Sequence, residues 1–387
     1  MYNHLCHNTK HKNQEVTMNS IIYLGIDVHK ETYTICSFFY AEDAVKYTQT
    51  FSADYKNILK YIDWLRTMYG VDAYIVCGYE AGCIGYSLYH QLTNHGVNCI
   101  ILAPSTMAIT NTNRVKTDKR DAGNIARCLA FKTYSEVYVP TKQDEAVKEY
   151  IRMRDAQKDH LKRCKQQILA YVLRLGFRFD DGSYWTVKHF KWLKSLEMDP
   201  LFKETLDEYL ITYYQLTDKI QHLDERIEEF ALEDAYREKV SALKCFIGIK
   251  THTALAIVAE TGDFNRFPKA ESYAAFLGLI PGENSSGQKQ NRFSITKTGN
   301  SHLRTLLIES AQGYTRGAVG FKSKELKHRQ KGNVPEIIAY ADKGNVRLRR
   351  KYYRMTLQKE KKSNVAKVAI AREMACFIWG MMTNHID

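Results

Sequence analysis

Between residues 21 and 132 the chain runs through apolar segments in an order that admits few architectures. Three short β-branched or aromatic runs, IIYLGID (21–27), TYTICSFFY (32–40) and KYTQTF (46–51), follow one another with only brief polar breaks, which predicts a strand meander. A helix is expected at about 54–69, with Ile58, Tyr61, Ile62 and Leu65 on one face. A strand at 73–79, a helix at about 84–95, a strand at 97–103 and a helix at about 118–132 complete the segment. The order β-β-β-α-β-α-β-α is that of the ribonuclease H type of α/β fold, a mixed sheet with helices on both faces.

On such a fold four acids converge. Asp27 ends the first strand and Glu80 follows the fourth, which are neighbouring positions at the centre of the sheet. Asp118 and Asp121, three residues apart on the last helix, share one of its faces. Taken singly, each has a plain alternative: a strand-end turn residue for Asp27, a loop acid for Glu80, a helix N-cap for Asp118. Taken together, four carboxylates repel and raise one another's pKa unless a divalent cation neutralises them, so a Mg2+ centre is the physical inference.

From about 142 to 245 the pattern changes to long helices. Tyr209, Tyr213, Leu216, Ile220, Leu223, Ile227 and Phe230 alternate spacings of four and three, the seam of a coiled coil, and Leu161, Cys164, Ile168, Tyr171 and Leu175 make a second, shorter seam. An intramolecular helical hairpin and a dimerisation arm both satisfy this pattern. The stretch CFIGIKTHTALAIVAETGDFNRF (245–267) reads either as a helix-hairpin-helix that offers backbone N–H groups to a phosphate or as a plain helical turn.

The stretch LIPGENSSGQKQ (279–290) places Ser285 and Ser286 between turn formers. Composition alone makes this a Ser-rich turn. A serine nucleophile needs a base, a metal or cations that stabilise the charge it attacks. Lys289, Arg292, Lys297, His302 and Arg304 follow, with Thr298, Gly299 and Asn300 forming a turn before a helix, a cradle suited to a phosphodiester. No carboxylate–His pair of the protease type stands beside it in the sequence, which disfavours acyl chemistry.

Charge and composition narrow the partners. The 387 residues carry 56 Lys and Arg against 43 Asp and Glu, a net +13, which favours a polyanion, nucleic acid ahead of membrane. No apolar run reaches the roughly 18 residues needed to span a bilayer, and the polar beginning lacks a signal-peptide core, so a cytoplasmic location is expected. The nine cysteines form no CxxC pair and read as reduced residues, many of them in the core. His4, Cys6, His7 and His11 sit in a segment with no core around it, read as a disordered leader (1–17) rather than a metal site. Tyr352 and Tyr353, in the Lys/Arg-rich helix near the C-terminus, read as packing or stacking groups.

The motifs GIDVHKETYTIC, GYEAG, VKTDKRDAGNIA and GLIPGENSSGQKQNRFSITKTGNSHLRTLLIESA together resemble those of the DEDD-type insertion-sequence transposases. Such proteins join a RuvC-like N-terminal domain to a "transposase 20" C-terminal domain, and their best-understood members are recombinases guided by a bridge RNA. The resemblance covers nearly the whole chain from about Met18. It implies a RuvC-like domain at 18–140, a coiled-coil linker or dimerisation region at 141–243 and a mostly α-helical domain with a serine loop at 244–387.

By position, the resemblance makes Asp27, Glu80, Asp118 and Asp121 the Mg2+-binding acids. It makes Ser286 the nucleophile that becomes joined to a DNA phosphate, with Ser285 as its neighbour. Partners implied are target and donor DNA, a structured non-coding guide RNA, and further copies of the chain, as a dimer or tetramer, so that the acids of one subunit meet the serine of another. Candidate nucleic-acid contacts are Lys116, Lys289, Arg292, Lys297, Asn300, Arg304, Arg347, Arg349 and Arg350. Two other readings stay open on the sequence: a junction nuclease whose acids cut with water, and a non-enzymatic nucleic-acid binder.

Overall fold

The computed structural model describes residues 21–107, 117–286 and 289–386, without the side chains of Ser105, of 283–286 and of 289–292. The expected leader at 1–17, Lys116 and Gly287 lie outside the described residues. The chain divides into two compact units, with the boundary between Val139 and Pro140.

The first unit is a five-stranded sheet in the order β3-β2-β1-β4-β5, made of β1 (Ile21–Val28), β2 (Thr32–Phe39), β3 (Ala44–Ser52), β4 (Tyr74–Glu80) and β5 (Asn98–Leu102). β1 runs antiparallel to β2 and parallel to β4, so the first and fourth strands stand side by side at the centre, as the element order predicts. Period-two alternation sends Ile22, Leu24 and Ile26 to one face, where α1 (Tyr55–Tyr69) and α2 (Ser87–Thr93) cover them. Tyr23 and Val76 face the other side, against α3 (Asp118–Phe131). Helix α1 starts where Asp54 accepts a hydrogen bond from Lys56 N at 2.9 Å, and it buries the Ile58, Tyr61, Ile62 and Leu65 face read from the sequence.

Two glycines set how closely α3 lies on the sheet. A Cβ on Gly25 would stand 1.9 Å from the carbonyl oxygen of Ala122 and 2.5 Å from the amide nitrogen of Ala126. On Gly78 it would meet Ile100 O at 2.9 Å and the Leu129 side chain at the same distance. At Gly25 the obstacles are backbone, so only a shift of the whole helix could relieve them. Gly25→Ala is therefore expected to cost about 3 kcal/mol or more in urea unfolding. Gly123→Ala, whose new Cβ finds only Val45 methyls at 3.6 and 3.8 Å, should stay within about 1 kcal/mol of the parent.

The second unit opens with α4 (Lys142–Arg174), α5 (Val187–Ser195) and α6 (Pro200–Ala231). Thr141 caps α4 by accepting from Asp144 N, and Pro200 sits in the first turn of α6, where its missing N–H costs nothing. α4 and α6 lie antiparallel: Arg154 pairs with Asp224, Cys164 Sγ lies 3.6 Å from Tyr209 O, and Tyr171 Oη donates to Phe202 O at 2.8 Å. The two apolar seams thus meet within one chain, the hairpin alternative of the sequence reading. The base of this hairpin packs into the C-terminal helices. Val147, Ile151 and Ile227 belong to the same core as the C-terminal helices.

Those helices are α7 (Arg237–Leu243), α8 (Thr251–Thr261), α9 (Ala270–Phe276), α10 (Ser301–Ser310), α11 (Lys324–Gln330), α12 (Pro335–Tyr353) and α13 (Ser363–Met382). Between α9 and α10 a two-stranded antiparallel ribbon, β6 (Pro281–Ser286) and β7 (Lys289–Ile295), is the second unit's sheet among the described residues. The turn before α8 holds Gly248 at φ +83°, and a Cβ there would lie 2.0 Å from Ser310 O. Close packing on α10 accounts for that glycine as a plain helical turn would. Among the described residues no helix is long and apolar enough to cross a membrane.

Candidate functional site

The geometry around Asp27 follows from register. Ile26 is paired with Tyr79, so Asp27 and Glu80 stand one step further along adjacent parallel strands. Both share the parity of Tyr23, Gly25, Val76 and Gly78, the face that α3 covers. Because Gly25 lets α3 lie against the backbone of β1, the first turn of that helix brings Asp118 and Asp121 to the same sheet edge. Thr117 occupies the N-cap position, and both acids sit in the first turn, where the helix dipole offsets part of their repulsion.

A residue absent from the sequence reading joins them. His29, two places beyond Asp27 in the run IDVHK, puts its Nε2 3.2 Å from Asp27 Oδ2 and 3.7 Å from Asp118 Oδ1. One ligand atom from each of Asp27, His29 and Asp118 falls within 4.8 Å of the others. The period-two spacing in a strand was the signal that could have exposed His29. Burial pushes the Asp27 carboxyl up from its ordinary pKa, His29 opposes this, and the charges of Asp121 and Asp118 add to the rise. Asp27 Oδ2 is buried and, although close to His29, has no aligned hydrogen-bond partner. An acceptor left this way among other acids suits a hard cation with oxygen ligands, which these residues fit. Glu80 is exposed at its strand end, level with Asp27 on the adjacent strand.

The serines lie in the other unit. Ser286 ends β6 and is paired with Lys289, and Ser285 with Gln290, so the expected turn residues extend a strand instead. The base of this ribbon is tightly tied. Thr296 N donates to Ile280 O at 2.9 Å, Lys297 N to Gly278 O at 3.1 Å and Asn300 N to Phe276 O at 2.9 Å. Gly278 and Gly299 both have positive φ, and a Cβ on either would strike a backbone oxygen at about 2 Å, at 2.2 Å and 2.0 Å respectively.

Two of the expected nucleic-acid contacts are committed to this base. Arg304 Nη1 donates to the carbonyls of Leu277 and Thr298, each at 3.0 Å. Asn300 caps α10 by accepting from Leu303 N and donates its amide to Glu260 Oε2 at 2.6 Å. Lys297 is exposed, and the side chains of Lys289 and Arg292 lie outside the described residues. Further along, Arg347 pairs with Glu373, while Arg350 is exposed. Arg349 is buried and spends its guanidinium on the carbonyls of Ala318 and Phe321. The two tyrosines of that helix are packing groups: Tyr353 Oη donates to Gly317 O, and the Tyr352 hydroxyl lies 3.0 Å from that of Ser363.

His302, read from the sequence as one of the cations near the serines, is the hub of a half-buried network. Its Nδ1 lies 2.6 Å from Glu260 Oε1 and its Nε2 2.8 Å from Asp155 Oδ2. Arg152 adds a two-pronged pair to Glu260 at 2.9 Å, and His252 Nε2 approaches Asp155 Oδ1 to 2.9 Å without good hydrogen-bond alignment. Burial works against every charge here. The nearby His252 and the hydrogen bond from His302 nevertheless hold Asp155 well below the usual carboxylate range, and the hydrogen bonds from His302, Arg152 and Asn300 hold Glu260 at about 2. The two carboxylates raise His302 to about 9.

The network ties α4, the first arm of the helical hairpin, to the helix that follows the serine ribbon. Removing His302 takes one partner from each carboxylate, while Arg152 and Asn300 still hold Glu260 and Arg154 still holds Asp155, so His302→Ala should cost about 1–2 kcal/mol in denaturant unfolding at pH 6. A raised histidine contributes fully below its unfolded pKa and loses that contribution as pH climbs through about 9. A depressed carboxylate contributes above its unfolded pKa and loses it as pH falls through about 2. The stability deficit of His302→Ala should therefore shrink when unfolding is repeated at pH 10.

Comparison with known proteins gives concordant likenesses. Residues 240–319 match the group described as "Transposase IS116/IS110/IS902 family", and residues 24–177 match a DEDD transposase group of the IS110 type. The chain is 32% identical over 352 residues to the transposase for insertion sequence element IS1533 of Leptospira borgpetersenii, covering 89% of this chain and 99% of that protein. It is 22% identical over 379 residues to the transposase for element IS1111A of Coxiella burnetii, covering 97% and 93%. It is 24% identical over 268 residues to the transposase for element IS1328 of Yersinia enterocolitica, covering 69% and 72%.

Proposed function

The chain belongs to the DEDD-type insertion-sequence transposases of the IS116/IS110/IS902 family, and from that premise we propose that it cuts and rejoins DNA through a covalent bond to Ser286. The observation that carries the reading is the gathering of Asp27, Asp118 and Asp121 at one sheet edge, with Glu80 on the same face and Asp27 Oδ2 lacking an aligned partner. Carboxylates placed this way hold a divalent cation, Mg2+ in this reading. When bound, it supplies charge to a phosphate and lowers the pKa of an attacking hydroxyl.

The chain's own residues supply the rest. Ser286 Oγ attacks the phosphorus, and a phosphorus–oxygen bond to the serine forms as the bond to the departing deoxyribose oxygen breaks. The leaving oxygen takes the electron pair and a proton, and the serine hydroxyl gives up its proton to solvent or a neighbouring base. The phosphoserine keeps the energy of the broken bond, so a hydroxyl of another strand can reverse the step without ATP. Lys289, Arg292 and Lys297, which flank the serines in sequence, hold the phosphate from the ribbon side.

A structured guide RNA pairs with target and donor DNA in this reading, so base pairing selects the sequence while the protein holds backbone and shape. The net charge of +13 supports it. The acids of one subunit work with the serine of another in a dimer or tetramer, with the α4–α6 hairpin as the assembly arm. The test is to incubate protein, RNA and end-labelled DNA with Mg2+, denature, and resolve the products. A labelled protein–DNA band that requires RNA and Mg2+ supports the proposal; strand cleavage with no such band moves the reading to a water-dependent nuclease.

A further inference from the structure

Helix α12 and the residue that follows it carry Lys343, Arg347, Arg350, Lys351 and Arg354 along one side, at successive steps of four, three, one and three residues, over a length of about 16 Å. They line a cavity of about 700 Å³. Its two acids are already neutralised from within: Glu373 is paired with both Arg347 and Lys351, and Asp342 is paired with Lys322 and accepts from Gln330 Nε2 at 2.9 Å. The paired cations are thereby held in place, while Arg350 and Arg354 are exposed and have no ionic or hydrogen-bonding partner among the described residues.

The helix does not simply end there. It widens into a π-helical turn, Arg354–Gln358, a form frequent at functional sites, and the exposed Lys359, Lys361 and Lys362 follow. No aromatic side chain lines the cavity among the described residues, so it offers no platform on which a base could stack.

We infer that this groove is a binding site for the sugar-phosphate backbone of a nucleic-acid strand, gripped without regard to base sequence and built from none of the acids or serines named above. Two oriented cations and two free ones, spaced about a helical turn apart, match a polyanion that presents charges at regular intervals. The missing stacking surface leaves the phosphates, rather than unstacked bases, as what the groove holds. Arg349, adjacent in sequence, takes no part because its guanidinium is bound inside the domain. The inference shares a nucleic-acid partner with the proposed function and does not depend on the serine chemistry.

The experiment measures affinity of the full chain for RNA and for DNA of two unrelated sequences across a salt series. Arg350→Gln and Arg354→Gln are compared with Lys239→Gln, an exposed cation of α7 away from the groove. Each groove variant should weaken binding about fivefold at 0.15 M salt, equally for both sequences, and lower the slope of log K against log salt by just under one. Lys239→Gln should change neither. Whichever nucleic acid shows the loss is the strand that occupies the groove. Unchanged affinity and slope for both nucleic acids, or a loss confined to one sequence, would each overturn the inference. Because binding is read without catalysis, failure of the serine reading, seen as an absent adduct, remains distinguishable from failure of this one.

Discussion

Ser286→Ala should abolish both the covalent protein–DNA band and strand exchange, a fall of about four orders of magnitude or more, while leaving affinity for DNA and RNA within about twofold. Replacing a nucleophile removes the bond-forming atom itself, so no neighbouring group can partly compensate. Ser285→Ala should keep the adduct, with a rate within about tenfold of the parent, because Ser285 contributes backbone pairing to Gln290 that alanine preserves. Gel assays of adduct and of joined product, with filter binding as the control for folding, give both readouts. The pair separates a nucleophile from a serine that merely sits in a nucleic-acid ribbon.

Asp27→Asn should lower strand exchange by about a thousandfold and at the same time stabilise the first unit when no divalent cation is present. The sign follows from the direction of its shift. A carboxyl whose pKa is raised on folding holds its proton better in the folded chain, so ionising it costs stability. That cost appears as pH rises from the unfolded value through the raised folded one and is fully present at pH 7. Asparagine removes it, and in thermal unfolding without metal the variant should melt higher, by about 2–4 °C for each kcal/mol relieved. Adding Mg2+ should raise the melting temperature of the parent and leave that of Asp27→Asn almost unchanged. A stabilised, inactive and metal-insensitive variant is the signature of a site whose acids are held together for a cation.

The sheet and the acids were legible in the sequence because their signals are local. Strand alternation and the four-plus-three helical spacing placed all five strands and the first three helices close to their observed bounds. Once the central strands were known, Asp27 and Glu80 had to be neighbours. The close seating of α3 was not legible, since it depends on what a missing Cβ at Gly25 allows in three dimensions. His29 escaped because its role comes from standing two residues past Asp27 at a strand end, which composition does not mark.

The middle region shows a different limit. Seam periodicity marked α4 and α6, but a heptad does not say what it packs against; within this chain the Arg154–Asp224 bridge joins the two helices. Nor could it show that the hairpin base shares a core with the C-terminal helices. Polar side chains outside the acid cluster are the least legible. Asn300, Arg304 and Arg349 read as phosphate contacts, yet their hydrogen bonds go to carbonyls, a carboxylate and a helix cap. Whether an arginine faces a ligand or a carbonyl depends on the tertiary neighbours of its tip, which sequence spacing leaves open.

The central claim, a phosphoserine bond at Ser286, is tested most directly by locating the bond. The adduct is trapped by denaturation during reaction, the DNA is digested to a short remnant, and the trypsin fragment spanning residues 270–289 is sequenced by mass spectrometry. The account predicts a phosphodeoxynucleotide remnant on Ser286 in the parent and none on any residue in Ser286→Ala. A remnant on Ser285, Ser272 or a tyrosine, or undiminished strand exchange with no modified peptide, would contradict it.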